Sequence, residues 1–246
     1  MNAEEQVRKV TEFIQNYFKE KNLGGVIIGI SGGKDSAVAL ALFVKALGKE
    51  NVIGITLPCH SIEQDKIDAT KLADFYGIKL LNIDLTSTYD TFTEEAMKLE
   101  EFIVSEDSEI NLKPRLRMAS LYYVAQMLSL RDNKRYIVAG TGNKCEEYVG
   151  YFTKGGDSVS DIKVLADFTV EEVYQLGEVL QVPQDILYKT PSDGLSGKSD
   201  EEKLGVKYSD ITKVINGEEV SEEIFKKIET MHKKNQHKFV IPTYYK

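Results

Sequence analysis

Hydrophobic residues follow two patterns along the chain: short unbroken apolar runs, and longer stretches in which apolar positions recur at helical spacing. The short runs are rich in β-branched residues, a composition typical of strands that are buried on both faces of a parallel sheet. They predict five strands, at residues 26–30, 51–57, 79–83, 136–139 and 162–165.

The longer stretches predict helices that alternate with these strands. They lie at residues 3–21, 37–47, 62–76, 112–129, 169–180, 183–187, 208–215 and 221–234, with a further short helix after Ser199. Alternation with short connections implies parallel strands joined by right-handed crossovers. We therefore expect an α/β fold, a doubly wound five-stranded parallel sheet with helices on both faces, formed by residues 1–246 as a single domain.

Three segments lack a strong pattern. Residues 84–110 have Thr- and Ser-rich edges and an acidic run, and only residues 94–104 show weak helical character. Residues 140–161 read as a Gly-rich polar loop, and residues 190–200 consist of residues that favour turns. We expect segments 84–110 and 190–200 to be mobile and to close over a bound substrate as lids.

Charge and composition narrow the class of protein. The formal net charge of −8 disfavours a nucleic-acid partner, because such proteins present a basic face. No apolar run approaches a membrane span, and the first ten residues lack the apolar core of a signal peptide. Cys59 and Cys145 suit a reducing compartment and lack the spacing of a zinc site. We therefore expect a cytoplasmic protein that binds neither nucleic acid nor membranes.

The first predicted strand leads into the sequence S-G-G-K-D-S at residues 31–36, which is followed by an apolar helix. Adjacent glycines at a strand-to-helix turn let backbone N–H groups converge on an anion. The N-terminus of the helix adds its partial positive charge. The sequence therefore predicts a phosphate-binding loop.

The spacing within this loop identifies its type. A Walker A loop is excluded, because Ile28 stands where its first glycine is required and Asp35 where Ser or Thr must follow the lysine. The dinucleotide pattern G-x-G-x-x-G also fails, since Gly32 and Gly33 are adjacent. The loop resembles the S-G-G-x-D-S loop of the N-type ATP pyrophosphatases. This resemblance implies cleavage of ATP to AMP and pyrophosphate.

Further motifs narrow the resemblance. G-T-G-N-K-C-E-E begins at Gly140, after the fourth predicted strand, and G-Y-F-T-K-G-G-D begins at Gly150. The remaining motifs are K-P-R-L-R-M from Lys113, K-T-P-S from Lys189, D-E-E-K-L-G from Asp200 and Q-H-K from Gln236. Taken in their order along the chain, these motifs resemble those of the ammonia-dependent NAD synthetases. The adenine nucleotide alpha hydrolase-like fold of that family agrees with the predicted sheet.

The resemblance implies a role for each matching residue. The ATP-binding positions are Gly29, Ile30, Ser31, Gly32, Gly33, Lys34, Asp35, Ser36, Thr141 and Ser192. Asp35 and Glu146 would hold Mg²⁺, which takes one or two protein carboxylates and keeps waters, and spacing favours Glu146 over Glu147. The catalytic set would be Asp35, Glu146 and Asp161. Since position 34 varies in the family, we expect Lys34 to face solvent.

The second substrate implied by the resemblance is deamido-NAD, nicotinic acid adenine dinucleotide. Its binding residues would be Arg115, Lys154, Asp161, His237 and Lys238. Cationic side chains suit a pyrophosphate group, and arginine offers a bidentate fork. Pro114 replaces the alanine usual in the family, a change that the first turn of a helix tolerates. Val170 stands where the family has a lysine that contacts ATP, and Lys163 is a candidate to replace that cation.

The implied reaction is the amidation of deamido-NAD to NAD with ATP and free ammonia, through an adenylate, with release of AMP and pyrophosphate. The resemblance also implies a homodimer in which the dinucleotide binds across the interface. Two alternatives remain open from the sequence: another ATP pyrophosphatase, such as a GMP-synthetase-like amidotransferase subunit, and a nucleotide-binding protein without catalytic activity.

Overall fold

The computed structural model describes residues 1–99, 105–189, 199–240 and 243 of the chain. Five strands form one sheet in which all neighbours are parallel. The strands are β1 (Gly25–Gly29), β2 (Val52–Thr56), β3 (Lys79–Asn82), β4 (Tyr136–Gly140) and β5 (Ile162–Lys163). The five parallel strands predicted from the apolar runs are therefore confirmed, with ends that differ by one or two residues.

Helices connect and cover the strands. They are α1 (Ala3–Glu20), α2 (Lys34–Leu47), α3 (Glu63–Tyr76), α4 (Thr86–Ala96), α5 (Glu106–Asp132), α6 (Lys144–Val149), α7 (Val170–Val179), α8 (Gln184–Leu187), α9 (Asp200–Leu204), α10 (Tyr208–Asn216) and α11 (Glu222–Lys234). Single 3-10 turns lie at Lys49–Asn51 and Gln236–Lys238. No helix in the described part of the chain is long and apolar enough to span a bilayer.

Alternate residues of the strands face opposite sides of the sheet, and both sides are covered. Ile27 of β1 lies in a cluster with buried residues of α4 and α5. Its neighbours Val26 and Ile28 lie in a second cluster, with residues of α1, α2, α3, α7 and α8. The α/β fold with helices on both faces is thus confirmed. A third cluster, around Ile211 and Ile228, joins α6 and the start of α7 to the C-terminal helices.

The order of the strands fixes where a ligand can bind. Across the sheet the order is β3-β2-β1-β4-β5, so the chain moves to one side of β1 first and to the other side afterwards. Loops that follow two neighbouring strands with opposite connections leave a crevice at the carboxyl edge of the sheet. In this chain the crevice lies between the β1–α2 and β4–α6 loops.

The structure corrects the weak part of the helix prediction. Residues 86–96 form α4, which begins earlier than the predicted helix 94–104 and has Tyr89 as its buried residue, and residues 100–104 of that prediction lie outside the described residues. Helix α5 begins at residue 106 instead of 112, because a capping box between Ser105 and Ser108 starts it a turn and a half earlier. Pro114 consequently lies inside α5 and not in its first turn.

Candidate active site at the ends of β1 and β4

The loop after β1 is held in shape by its own hydroxyl groups. The Ser36 hydroxyl is almost fully buried, donates to the Gly33 carbonyl at 2.9 Å and accepts from the Ser31 N–H at 3.3 Å. The Gly33 N–H donates to Ser31 Oγ at 3.3 Å. Gly32 has a φ of +78°, and a Cβ there would lie 2.9 Å from the Asp65 carbonyl oxygen. The two glycines and two serines thus form the compact turn that the sequence predicts.

Asn143 joins this loop to the loop after β4. Its side chain is fully buried, and its amide nitrogen donates to Asp35 Oδ1 at 3.1 Å. Its amide oxygen accepts from the N–H groups of Cys145 and Glu146, so that Asn143 caps α6. Glu146 completes the capping box, since its Oε2 accepts from the Asn143 N–H at 3.0 Å. The two carboxylates predicted to hold a metal ion therefore lie on either side of one buried amide.

Lys34 lies inside the site, and the expectation that it faces solvent is wrong. Only 4 % of its side chain is exposed, and its Nζ donates to Asp35 Oδ2 at 2.8 Å. The same Nζ lies 5.9 Å from the ring centroid of Tyr174 and 5.7 Å from that of Tyr208. Such distances allow favourable cation–π contacts. The burial could not be read from the sequence, because both tyrosines come from distant segments.

The charges of the site perturb one another. Burial and the neighbouring Asp35 carboxylate raise the pKa of Glu146 well above its ordinary value. Burial by itself would lower the pKa of Lys34, but the carboxylates of Asp35 and Glu146 outweigh burial and raise it above its ordinary value. The site therefore holds a permanent ammonium group beside a carboxylate that ionises with difficulty. It favours an additional cation over an additional anion at the carboxylates.

Aromatic and acidic residues that sequence reasoning missed line the same site. Asp200, at the start of α9, is almost fully buried and accepts from the Tyr151 hydroxyl at 3.2 Å and from the Tyr208 hydroxyl at 3.4 Å. Its charge contributes to the raised pKa of Glu146. The sequence signal for Asp200 was the D-E-E-K-L-G motif that follows the Ser199 N-cap. This motif matches the family, but the match by itself implied no role for Asp200.

The chemistry of the acidic side chains fits Mg²⁺. Asp35 and Glu146 offer hard carboxylate oxygens, and Mg²⁺ is commonly held by one or two carboxylates together with substrate phosphates and water. Among the residues that the structure describes, no three or more His, Cys, Asp or Glu side chains form a metal site by themselves. The pair thus suits an ion that also binds phosphates, and not a closed structural metal site.

Three of the four basic residues predicted for the second substrate are linked by hydrogen bonds, and the fourth, Lys238, binds backbone carbonyls close to Lys154 along the chain. Arg115 Nε on α5 donates to the Lys154 carbonyl at 3.3 Å, and Lys154 Nζ donates to the His237 carbonyl at 2.7 Å. Lys238 Nζ donates to the carbonyls of Gly150 and Phe152 at 2.6 and 2.8 Å. The structure therefore brings together residues from three distant segments. Their contact with a substrate stays a prediction.

The turn that carries Lys154 is docked onto α5. Thr153 Oγ1 donates to Asn111 Oδ1 at 2.6 Å, and the Thr153 N–H donates to Asp157 Oδ1 at 2.9 Å. Gly156 lies against Pro114, where an added Cβ would be 2.9 Å from the proline Cβ. Close packing against Pro114 thus explains the second glycine of the T-K-G-G-D segment, Gly156.

Asp161 has structural partners for both of its oxygens. Oδ2 accepts from the Val138 N–H at 2.8 Å, and Oδ1 accepts from the Tyr122 hydroxyl at 3.2 Å. The side chain thereby fastens the start of β5 to the middle of β4. The structure gives Asp161 an anchoring role, and its predicted catalytic and substrate-binding roles stay predictions.

The remaining predicted positions have different locations. Thr141 directly follows β4 at the carboxyl edge of the sheet. Ser192 lies outside the described residues, as does most of the predicted lid 190–200. Val170 is buried in the cluster around Ile211, so no cation can come from that position. Lys163 pairs with Glu147 Oε1 at 2.5 Å and does not contact Asp35 or Glu146.

Comparison with known proteins agrees with this geometry. The NAD synthase family model matches residues 6–242. A protein described as NH(3)-dependent NAD(+) synthetase from Carboxydothermus hydrogenoformans is 36% identical over 243 residues, which cover 98% of this chain and 97% of the relative. This share shows that the resemblance extends over essentially the whole length of both proteins.

Two solved structures are similar in fold and in sequence. The NMN synthetase from Francisella tularensis superposes with a TM-score of 0.91 at 33% identity, covering 100% of this chain and 99% of that one. The NH3-dependent NAD synthetase from Campylobacter jejuni superposes with a TM-score of 0.79 at 26% identity, covering 100% of both chains. The fold and the family match agree, and the chain belongs to the NAD synthase family.

Proposed function

We propose that this protein uses ATP and free ammonia to convert deamido-NAD to NAD, with release of AMP and pyrophosphate. The observation that carries the proposal is the buried amide of Asn143, which holds Asp35 of the phosphate-binding loop beside the helix that presents Glu146. Family membership supplies the reaction class, and the basic contacts of Arg115, Lys154 and Lys238 provide cationic groups for a second anionic substrate.

The contribution of the protein is positional and electrostatic. The N-terminus of α2, which begins directly after Gly33, would present its partial positive charge to the ATP phosphates. Cationic side chains reduce the repulsion between two polyanionic substrates, so that the nicotinate carboxylate can approach the α-phosphorus and form an adenylate. Orientation of bound reactants can supply about 7–11 kcal/mol of a barrier. Ammonia then displaces AMP, and exclusion of water protects the adenylate from hydrolysis.

Asp35 and Glu146 would hold Mg²⁺ in this reaction, because they are the carboxylates that adjoin the phosphate-binding loop. When bound, the ion neutralises phosphate charge and makes pyrophosphate a better leaving group. The side chains themselves are kept in place by Asn143, which donates to Asp35 and caps the helix of Glu146.

The direct test is to incubate the purified protein with ATP, Mg²⁺, ammonium and deamido-NAD and to quantify AMP, pyrophosphate and NAD. Equal amounts of the three products are expected, and none in the presence of EDTA. AMP that forms only with xanthylate would identify a GMP-synthetase-like enzyme instead. Nucleotide binding without any AMP would indicate a non-catalytic binding protein. Asp35→Ala serves as the inactive control.

A second candidate substrate is nicotinic acid mononucleotide, the mononucleotide that corresponds to deamido-NAD. It is favoured by one observation: the superposition on the NMN synthetase has the TM-score of 0.91, against 0.79 for the NAD synthetase from Campylobacter jejuni. Both acids carry the same nicotinate group, so the chemistry at the carboxylate would be unchanged. The ratio of kcat/KM for the two acids, measured at saturating ATP and ammonium, decides between them.

We also propose that the protein acts as a homodimer. Tyr123, Met127 and Leu130 form an exposed apolar stripe on α5, where they recur at helical spacing. Burial of this stripe against a second copy would shield it from water. Sedimentation should therefore show a dimer, and Leu130→Glu should dissociate it. Full activity of the dissociated variant would exclude a substrate site shared between copies.

The proposed location is the cytoplasm. Cys59 and Cys145 are buried free thiols, and burial raises the pKa of both. Free thiols of this kind are stable in a reducing compartment. A cytoplasmic enzyme would also have access to ATP.

A further inference from the structure

One ammonium group, that of Lys34, lies among the carboxylates of the candidate active site. Lys34 is the first residue of α2 and is almost fully buried. Its Nζ carries three N–H donors. Among the described residues, its one hydrogen-bond acceptor is Asp35 Oδ2. The rings of Tyr174 and Tyr208 make cation–π contacts with the ammonium group. They do not provide oxygen acceptors for its two remaining N–H donors.

The other lysines near the carboxyl edge of the sheet are engaged elsewhere. Lys163 pairs with Glu147, and Lys144 pairs with Asp167. Lys189 pairs with two carboxylates of α3, those of Asp65 and Asp68. Within the described chain, Lys34 is therefore the lysine whose ammonium lies at the Asp35–Glu146 pair. The ATP phosphates, bound at the loop from Ser31 to Ser36, would lie next to it.

Lys34 and a divalent cation would compete for Asp35. The ammonium already occupies Asp35 Oδ2, and Asn143 occupies Oδ1. A second cation bound to the same carboxylate would repel Lys34 strongly, because interactions between partly buried charges are screened little. A nearby phosphate oxygen would offer the displaced ammonium a charge-assisted hydrogen bond.

We propose that Lys34 is an exchangeable counterion: it pairs with Asp35 when no metal ion is bound, and it contacts an ATP phosphate when a divalent cation replaces it on Asp35. The inference rests on the proposed function, because it assumes that metal and ATP bind at this loop. It assigns Lys34 two effects of opposite sign. It weakens binding of a divalent cation to the protein without ATP, and it strengthens binding of ATP to the protein with metal.

The test uses Mn²⁺ as the probe and binding as the readout. Lys34→Met removes the charge at similar volume, and Lys34→Gln retains a donor for Asp35 in case the first variant does not fold. Without nucleotide, both variants are expected to bind Mn²⁺ about tenfold or more tightly than wild type. At saturating Mn²⁺, both should bind a non-hydrolysable ATP analogue about tenfold or more weakly. Electron paramagnetic resonance of free Mn²⁺ and calorimetry measure the two affinities.

Lys144→Met is the matched control, since it removes a positive charge from the same edge of the sheet, where Lys144 pairs with Asp167, without touching Asp35. Its Mn²⁺ affinity is expected to stay within about twofold of wild type. Unchanged Mn²⁺ affinity in both Lys34 variants, or unchanged affinity for the analogue, would overturn the inference. If wild type itself binds neither Mn²⁺ nor the analogue, the proposed function fails, whereas equal binding by wild type and variants rejects only the role of Lys34.

Discussion

The side-chain amide of Asn143 donates to Asp35 Oδ1 at 3.1 Å. This hydrogen bond ties the loop after β1 to the loop after β4, across the crevice where the strand order reverses. Since the other end of the amide caps α6, one fully buried side chain fixes both Asp35 and the helix that carries Glu146. The spacing of the two carboxylates therefore depends on a residue that is itself neither acidic nor exposed.

Asn143→Ala is expected to lower both stability and activity. It removes a helix N-cap, which costs about 0.5–2 kcal/mol, and leaves buried N–H groups without an acceptor, at about 1–3 kcal/mol. Asn143→Asp keeps the cap, because aspartate is a good N-cap, but places a carboxylate against Asp35 where a donor was. Stability should therefore recover in part, while the concentration of Mg²⁺ required for activity changes. Thermal unfolding and Mg²⁺ titrations of activity measure the two effects.

Ser221→Ala is the control for the loss of a cap. Ser221 caps α11 by accepting from the Ile224 N–H, away from the candidate site. It should lower the unfolding temperature without altering the Mg²⁺ requirement. If Asn143→Asp also leaves that requirement unchanged, Asn143 has no role in positioning Asp35.

The two glycines of the predicted phosphate-binding loop are expected to respond differently to alanine. Gly32 has a φ of +78°, and its added Cβ would meet the Asp65 carbonyl at 2.9 Å. The left-handed conformation alone costs roughly 1–2 kcal/mol for a residue with a Cβ. Gly33 has a φ of −103°, and an added Cβ would meet Ser31 Oγ at an ordinary 3.5 Å. Gly32→Ala should therefore lower the unfolding temperature by several degrees, and Gly33→Ala should not.

Both variants should bind ATP more weakly, because a methyl group at either position obstructs the approach of a phosphate to the backbone. The ATP dissociation constant and the unfolding temperature of each variant separate the two effects. An unfolding temperature of Gly32→Ala equal to that of wild type would show that the loop relaxes away from Asp65.

The sheet and the loop could be predicted from the sequence because their signals are local. Strands buried on both faces require unbroken apolar runs, and the turn from Ser31 to Ser36 requires adjacent glycines. Spacing favoured Glu146 over Glu147, and the metal-binding role of Glu146 stays a prediction. Helix α4 was placed too late in the chain because it buries a single side chain, Tyr89, and so has no strong periodicity. Helix α6 is too short for periodicity, although the capping box from Asn143 to Glu146 was a readable signal.

The environment of Lys34 could not be predicted, for a different reason. Its burial depends on Tyr174 and Tyr208, which reach the loop only once α7 and α10 have packed against α6. No local pattern around residue 34 encodes this arrangement. Similarly, the contact between Lys154 and the His237 carbonyl joins segments that are distant along the chain. No local pattern predicts this contact, and only the family motifs assigned both residues to the same substrate.

Two basic residues predicted to bind the second substrate, Lys154 and Lys238, should differ in how much each contributes to substrate binding and to stability. Lys154 is exposed, so Lys154→Ala should leave the unfolding temperature unchanged. It should lower kcat/KM for deamido-NAD about tenfold to a hundredfold by loss of a charge-assisted contact. Lys238 is half-buried, burial lowers its pKa, and it donates to two carbonyls. Lys238→Ala should therefore lower both kcat/KM and the unfolding temperature.

Lys71→Ala is the control for this comparison, because it removes an exposed lysine that pairs with Asp185 on the surface. It should change neither quantity measurably, as expected for a surface ion pair. Wild-type kinetics for Lys154→Ala would remove Lys154 from the substrate site. A normal unfolding temperature for Lys238→Ala would show that its hydrogen bonds do not hold the turn.

Glu146→Gln is expected to stabilise the metal-free protein at neutral pH. Burial and Asp35 raise the pKa of Glu146 well above its ordinary value, so the folded state binds this proton more tightly than the unfolded state does. The stability that the proton contributes is fully present below the ordinary pKa near 4.5, and it is lost as pH rises through the folded-state pKa. A tenfold difference in proton affinity between the folded and unfolded states corresponds to about 1.36 kcal/mol, which in a chain of this size changes the unfolding temperature by roughly 2–4 °C or more.

Thermal unfolding in EDTA between pH 4.5 and pH 8 tests this directly. The glutamine keeps the acceptor for the Asn143 N–H, so the advantage of Glu146→Gln over wild type should be small at pH 4.5 and grow as pH rises. Mg²⁺ should reverse the order at neutral pH, because it stabilises the wild-type carboxylate and finds a weaker ligand in the variant. Glu147→Gln is the matched control: its carboxylate pairs with Lys163, so the variant should gain no stability and should keep the response to Mg²⁺. If Mg²⁺ raises the unfolding temperature of Glu146→Gln but not that of Glu147→Gln, the metal-binding role belongs to Glu147. The reason is that loss of a ligand carboxylate weakens the binding through which Mg²⁺ stabilises the folded state.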